Sequence, residues 1–209
     1  MNAEAPDDFR VIDHGQLAGR LAGVVPHVVA SGVMVNYAEL RTQLGLMANQ
    51  PLHVLADIDG TVLGEDETMI APQIQAFIAD QRRQGAISSF NLASNSTCSG
   101  KQRFGEQIAA DCRVFTALRE RGKLYRKPHA RYFTHIEEQC DFSQDPVLMI
   151  GDKCLRDVLG ARRMNWFSML VRPRGSRHPV MDRYLLRPID MLALQVGAWA
   201  VGNEIMQYL

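Results

Sequence analysis

Two aspartates separated by one residue, Asp57 and Asp59, follow the apolar run Leu52-His-Val-Leu-Ala56 and precede Gly60-Thr61. If the backbone leaves a strand there, both carboxylates project into one crevice. They then repel each other unless a cation is present or one is protonated. A divalent metal resolves the conflict for one, and a raised pKa suits the other for acid–base work. Gly60 permits a tight turn, and Thr61 offers a hydroxyl to hold the loop. For this pentapeptide alone, a surface Asp-Gly turn with incidental acids is the plainer alternative.

A second acidic cluster, Gly151-Asp152-Lys-Cys-Leu-Arg-Asp157, follows the most apolar run of the chain, residues 147–150. Hard oxygen ligands of this kind suit magnesium rather than zinc. In isolation Asp152 also reads as a helix N-cap, with Asp157 stabilising the first turn. Two such clusters after two strands of one sheet weaken that explanation. Between them lie Ser94-Asn95 and Lys127-Pro128. A hydroxyl and an ammonium at the same sheet edge suit the oxygens of a transferring phosphoryl group.

Strands alternating with helices supply the needed scaffold. Apolar runs predict strands at residues 52–56, 86–93, 124–125, 147–150 and 167–171. A helix opens at Pro72, with Ile74, Phe77 and Ile78 as its apolar stripe and Gly85 at its close. Further helices are expected at 102–111, 130–139 and 155–163. The expected fold is α/β: a Rossmann-like parallel sheet of about five strands with helices on both faces. Ligands of such sheets bind at the strand carboxyl ends, where both acidic clusters fall. Residues 1–50 read as a helical preface, from Leu17, Leu21, Val24 and Val25 and a second short helix at 37–46. Residues 51–175 form the catalytic core. Residues 176–209 form a basic segment and an apolar helix packing on the core or a membrane surface.

In this order, Asp57-Ile-Asp59-Gly-Thr61, Ser94-Asn95, Lys127-Pro128 and Gly151-Asp152-x4-Asp157 resemble the four motifs of haloacid dehalogenase-like (HAD) hydrolases. The resemblance spans roughly residues 52–172. It implies a phosphohydrolase in which Asp57 is the nucleophile and Asp59 the general acid/base, with Ser94 and Lys127 binding the phosphoryl group. Magnesium would be held by the Asp57 carboxylate, the Asp59 backbone carbonyl and Asp152, with Asp157 contributing directly or through water. An acid at position 59 is the pattern of the phosphatase members.

Ser94 lies 33 positions after Thr61, and Lys127 another 33 on. Each interval is filled by one helix and one strand, which leaves no room for a cap domain. An open site suits a large or surface-bound substrate, or one enclosed by a partner subunit in a homo-oligomer. The stretch 151–163, the run 167–173 and Arg126-Lys-Pro128 resemble the capless YqeG-like branch, which includes phosphatidylglycerophosphate phosphatases. Gly60 stands where that branch often has Asn, and the preface is longer. A lipid-linked phosphate such as phosphatidylglycerophosphate is therefore the expected substrate. A soluble metabolite or phosphoprotein is the alternative, and a non-catalytic phosphate-binding module a more distant one. The zinc-binding Cys/His loop of some capless histidinol- and heptose-phosphate phosphatases is absent from the sequence. His129 and His135 have no second ligand at a recognisable spacing.

The formal net charge is zero but unevenly laid out: residues 1–80 carry 3 Lys/Arg against 11 Asp/Glu, and residues 81–209 carry 20 against 12. That distribution either presents a basic face to an anionic substrate or membrane, or interleaves and cancels. No nucleic-acid partner is expected. Arg172, Arg174, Arg177, Arg183 and Arg187 precede a loosely helical array of Leu192, Val196, Trp199 and Met206, which either docks peripherally on lipid or packs on the sheet. Cys98, Cys112, Cys140 and Cys154 are scattered, which argues for reduced thiols in a cytoplasmic setting. Cys98 reads as a small filler. The acidic first residues do not resemble a targeting segment.

Overall fold

Apolar residues alternate between the two faces of the central strands, and this sets the layers. In β3 (His53–Asp57), Val54 and Ala56 join one buried cluster while Leu55 joins another. In β8 (Val147–Gly151), Leu148 and Ile150 face the first cluster, and Val147 and Met149 the second. Successive strand side chains point to opposite faces, so a strand buried on both sides reads as one continuous apolar run.

The computed structural model describes residues 7–12, 26–47, 49–64, 67–142 and 145–175. Among these, the elements run β1 (Phe9–Val11), β2 (Val28–Ala30), α1 (Tyr37–Gln43), β3, α2 (Pro72–Arg83), β4 (Ser89–Ala93), α3 (Arg103–Ile108), β5 (Val114–Phe115), β6 (Leu118–Glu120), β7 (Lys123–Tyr125), α4 (Ala130–Cys140), β8, α5 (Leu159–Arg163) and β9 (Phe167–Val171). A short 3-10 turn, Ser99–Gln102, leads into α3, and a wider π-type turn, Cys154–Val158, leads into α5.

The main sheet has the order β1-β2-β9-β8-β3-β4-β5. Every neighbouring pair is parallel except β1–β2. The α/β expectation therefore holds, with seven strands rather than about five. One face carries the cluster that includes Tyr37 and Leu40 of α1, Ile74 and Ile78 of α2, and Phe104 of α3. The other carries Tyr132, Phe133 and Ile136 of α4 with Ala161 of α5 and Trp166. The predicted start of α2 at Pro72 is observed, and Gly85 follows the helix end at φ +72°.

Three expectations need correction. Among the described residues the preface is helical only at α1, capped by Asn36, whose Oδ1 accepts from Glu39 N at 3.2 Å. Phe9–Val11 and Val28–Ala30 are strands, and β2 adds the fully buried Val28 and Val29 in parallel to β9. β-Branched residues fit a pleated, buried surface, and a three-residue strand is too short to show its period. Leu17, Leu21, Val24 and Val25 lie outside the described residues. Secondly, residues 124–125 do not join the main sheet. They pair with β6 in a separate hairpin, and the sheet position falls to Val114–Phe115. Arg121 and Gly122 both take positive φ (+48° and +75°), as a two-residue hairpin turn demands. Thirdly, β4 begins at Ser89 and α3 ends at Ile108, so both are shorter than expected.

Among the described residues no cap domain is inserted after β3 or between β4 and α4. The apolar array at residues 192–206, like the basic residues Arg177, Arg183 and Arg187, lies outside the described residues. No helix among the described residues is long and apolar enough to cross a membrane.

Candidate active site

β3 and β8 are parallel neighbours, with Ala56 opposite Ile150. From β3 the chain moves outward to β4 and β5, and from β8 it moves the other way to β9. The crevice at their carboxyl ends is thus the switch point of the sheet, where ligands of open α/β folds bind. Asp57 ends β3, and Asp152 immediately follows β8.

Asp57, Asp152 and Asp157 each bring a carboxylate oxygen within 4.8 Å of the others. Lys127 Nζ donates to Asp57 Oδ1 at 2.5 Å and lies 2.7 Å from Asp157 Oδ1. The second contact is a buried ion pair. All three acids have buried side chains. Burial pushes the Asp57 carboxyl up to about 6, against the opposing pull of Lys127. Asp152 and Asp157 are raised as well, chiefly by burial. Burial alone would lower the Lys127 ammonium, but Asp157 and Asp57 outweigh it and hold it above the ordinary lysine range. Lys153 adds a second cation, 3.1 Å from Asp152 Oδ2.

Three buried carboxylates against two ammonium groups leave an excess of negative charge in a low-dielectric crevice. An all-oxygen donor set of three converging, raised carboxyls fits a divalent, oxygen-preferring cation such as magnesium. Two glycines let the donors converge. Gly60 takes φ +84°, and a Cβ there would meet Asp152 Oδ2 at 2.7 Å. Positive φ is tolerated by Gly and, among other residues, best by Asn and its kin, so glycine in place of the branch's Asn keeps the local conformation. A Cβ on Gly151 would meet Asp157 Oδ2 at 2.2 Å.

The remaining candidates surround this cluster. Asp59 is exposed and stands outside the three-carboxylate group; Ser94 Oγ is 3.4 Å from its Oδ2. Its Oδ1 is held by Lys101, which arrives from the 3-10 turn with its ammonium 5.5 Å from the centre of the Phe104 ring. Ser94 is 1% exposed, and its Oγ also accepts from Ser96 N at 3.1 Å. Asn95 clamps the Lys127 backbone from both sides: Lys127 N donates to Asn95 Oδ1 at 2.8 Å, and Asn95 Nδ2 to Lys127 O at 3.2 Å. Asn95 therefore positions the lysine.

Thr61 departs from expectation, because its buried hydroxyl has no hydrogen bond among the described residues. Backbone bonds hold the loop instead. Gly60 N donates to Leu63 O at 2.8 Å, Leu63 N to Ile58 O at 3.0 Å, and Arg174 N to Gly60 O at 2.8 Å. The Arg174 guanidinium grips Glu67 at 3.0 Å, and Glu67 accepts from Gly64 N at 2.8 Å. The segment after β9 thus clasps the first acidic loop. Sequence reasoning did not single out Lys101 or Glu67. The only signal for Lys101 was a cation seven positions past Ser94. His129 caps α4 by accepting from Arg131 N at 3.1 Å, and His135 meets Phe115 edge-on. Cys98 is exposed, so it is not a filler.

A family model described as HAD-hydrolase-like matches residues 124–188, the span that carries Lys127, Asp152 and Asp157. A curated relative, Probable phosphatase YqeG of Bacillus subtilis (strain 168), is 22% identical over 131 residues, covering 63% of this chain and 70% of that protein. Two solved structures are similar. An uncharacterized protein from Listeria monocytogenes serotype 4b aligns at TM-score 0.48 and 16% identity over 61% of this chain and 85% of that one. A D,D-heptose 1.7-bisphosphate phosphatase from B. bronchiseptica, complexed with magnesium and phosphate, aligns at TM-score 0.43 and 17% identity over 70% and 99%.

The family-model match and the likeness to YqeG fall on the span that carries the expected motifs, and they make this chain similar to HAD-like hydrolases. Within that class the likeness is to phosphatases, phosphoric monoester hydrolases.

Proposed function

We propose that the enzyme is magnesium-dependent, works through a phospho-aspartate on Asp57, and acts on a large or lipid-linked phosphomonoester. The carrying observation is the convergence of Asp57, Asp152 and Asp157 within 4.8 Å beside Lys127. Asp57, Asp152 and Asp157 would hold the cation, which would offset charge on the phosphoryl oxygens.

Asp57 Oδ attacks phosphorus as the bond to the leaving oxygen breaks, giving an acyl phosphate and an alkoxide that takes a proton from Asp59. Asp59 then accepts a proton from the water that attacks the acyl phosphate, which releases inorganic phosphate and restores the Asp57 carboxylate. Lys127 offsets charge on the equatorial oxygens, and Ser94 donates to one of them. Lys101 keeps Asp59 at the mouth, where a leaving group departs to solvent. The absence of an inserted cap among the described residues supports a substrate too large to be enclosed.

The test is phosphate release by the full chain from a monoester panel that includes vesicles carrying a lipid phosphomonoester. Turnover should require magnesium and vanish in Asp57→Asn, and a phosphorylated Asp57 peptide should be trapped by rapid quench. Undiminished turnover in Asp57→Asn or in excess chelator sinks the mechanism. Turnover of soluble esters with none on vesicles removes the lipid substrate.

A further inference from the structure

Between Ser94 and Lys127 the chain forms one ribbon outside the main sheet, the β6–β7 hairpin. Opposed residues of a two-stranded ribbon share a face. Leu118 opposite Tyr125 and Glu120 opposite Lys123 lie on one face; Arg119 opposite Leu124 lies on the other. Leu118 and Tyr125 pack against the cluster under α4, and Glu120 is held by Arg131 of that helix at 2.9 Å. That side is turned to protein, and the Arg119–Leu124 side to solvent.

Arg119, Arg121, Lys123 and Arg126 are all exposed. None of the four makes a side-chain hydrogen bond or ion pair among the described residues. Leu124, exposed to 38%, shares its face with Arg119, while Lys123 lies on the other face opposite Glu120. Four cations within eight residues face a single acid, Glu120, which Arg131 already holds, so they repel one another unless an anionic surface neutralises them. A soluble polyanion would do so but leave the leucine wet. A bilayer satisfies both, with headgroup phosphates for the cations and the interface for the apolar side chain.

The hairpin is also rooted in the site. Ala117 N donates to Ser96 O at 2.9 Å just before β6, and β7 runs through Arg126 directly into Lys127. We propose that the exposed cations of this hairpin, with Leu124, form a docking surface for an anionic lipid bilayer that brings the Asp57 crevice to the headgroups. The proposal rests on the reading of the enzyme as a phosphatase of membrane-borne monoesters.

Co-sedimentation of the full chain with neutral vesicles and with vesicles rich in anionic lipid tests this without turnover. Binding is expected only to the anionic vesicles and should weaken steeply with salt. Each cation near such a surface contributes about fivefold in partitioning. Arg119→Glu/Arg121→Glu/Lys123→Glu should therefore lose about a hundredfold or more, and Leu124→Ser severalfold, with turnover of a small soluble ester retained in both. No binding, equal binding to neutral vesicles, or binding that the triple charge reversal leaves unchanged overturns the docking surface. So does an equal loss of turnover on soluble polyanionic esters, which would assign the hairpin to a dissolved substrate. A chain that hydrolyses soluble esters with magnesium but ignores vesicles keeps the phosphatase reading and loses this one. A chain that binds vesicles but hydrolyses nothing does the reverse.

Discussion

The Asp57 carboxyl is pushed up to about 6 by burial, with Asp157 alongside, against the pull of Lys127. Its folded pKa lies above the ordinary 3.8, so the cation-free folded chain binds more protons than the unfolded one between about 4 and 6. Stability from this group is therefore present at low pH and lost as pH rises through that window. On the proposed function, a cation would take the place of the proton. Magnesium binding should weaken about tenfold on going from pH 7.5 to pH 5, since Asp57 is then mostly protonated. Thermal shifts measured at both pH values check this, and an equal magnesium-induced shift at each would contradict it. Gly60→Ala makes a second, independent probe. Its positive φ costs about 1–2 kcal/mol for a residue with a Cβ, and that Cβ falls 2.7 Å from Asp152 Oδ2. The apparent magnesium constant should rise at least about tenfold, read from turnover against metal concentration; wild-type metal dependence would rule out the contact. The three cluster acids were legible in the sequence because strand ends and turns fix where short side chains point. Lys101 was not, because a long side chain on a 3-10 turn can reach many places.

At the scale of elements, the strands buried on both faces declared themselves, while the short edge pieces did not. Residues 52–56, 147–150 and 167–171 sit within a residue of β3, β8 and β9, since a run apolar on both faces has few other uses. Val114–Phe115 is only two residues long, and Leu124–Tyr125 had more apolar character, so pattern alone preferred the hairpin. What separates them is the turn at Arg121-Gly122, which folds residues 123–125 back onto 118–120. Helix packing is equally specific. Gly160 in α5 lies against the Phe133 ring of α4, where a Cβ would come within 2.2 Å. The two helices share one face of the sheet, so Gly160→Ala forces them apart. Overpacking of this kind costs about 1–3 kcal/mol, which is expected as a fall of roughly 2–12 °C in Tm for a chain of this size. Calorimetry on the variant measures it, and an unchanged Tm would mean that the pair is loosely packed.

At the scale of the molecule, part of the uneven charge layout among the described residues resolves at the site. Lys127 with Asp57, Lys101 with Asp59 and Arg174 with Glu67 each join a cation from beyond residue 80 to an acid from before it. The acidic first stretch and the basic remainder therefore meet at one rim of the sheet, and the cations of the β6–β7 hairpin are left over. The same rim depends on the strands that precede α1. Ala30 O accepts from Arg172 N at 3.2 Å, and Arg174 N two residues on supports the Gly60 turn. β2 is thus continuous with the loop that clasps Asp57 and is no appendage. Val29, fully buried and paired with Leu170 and Arg10, tests that continuity. Removing two methyl groups there should cost about 2 kcal/mol. If β1 and β2 belong to the cooperative core, Val29→Ala lowers the single calorimetric transition by roughly 4–8 °C and weakens magnesium binding with it. A main transition left in place, with a small separate one appearing below it, would show that these strands unfold on their own and that the Gly60 clasp is held from β9 alone.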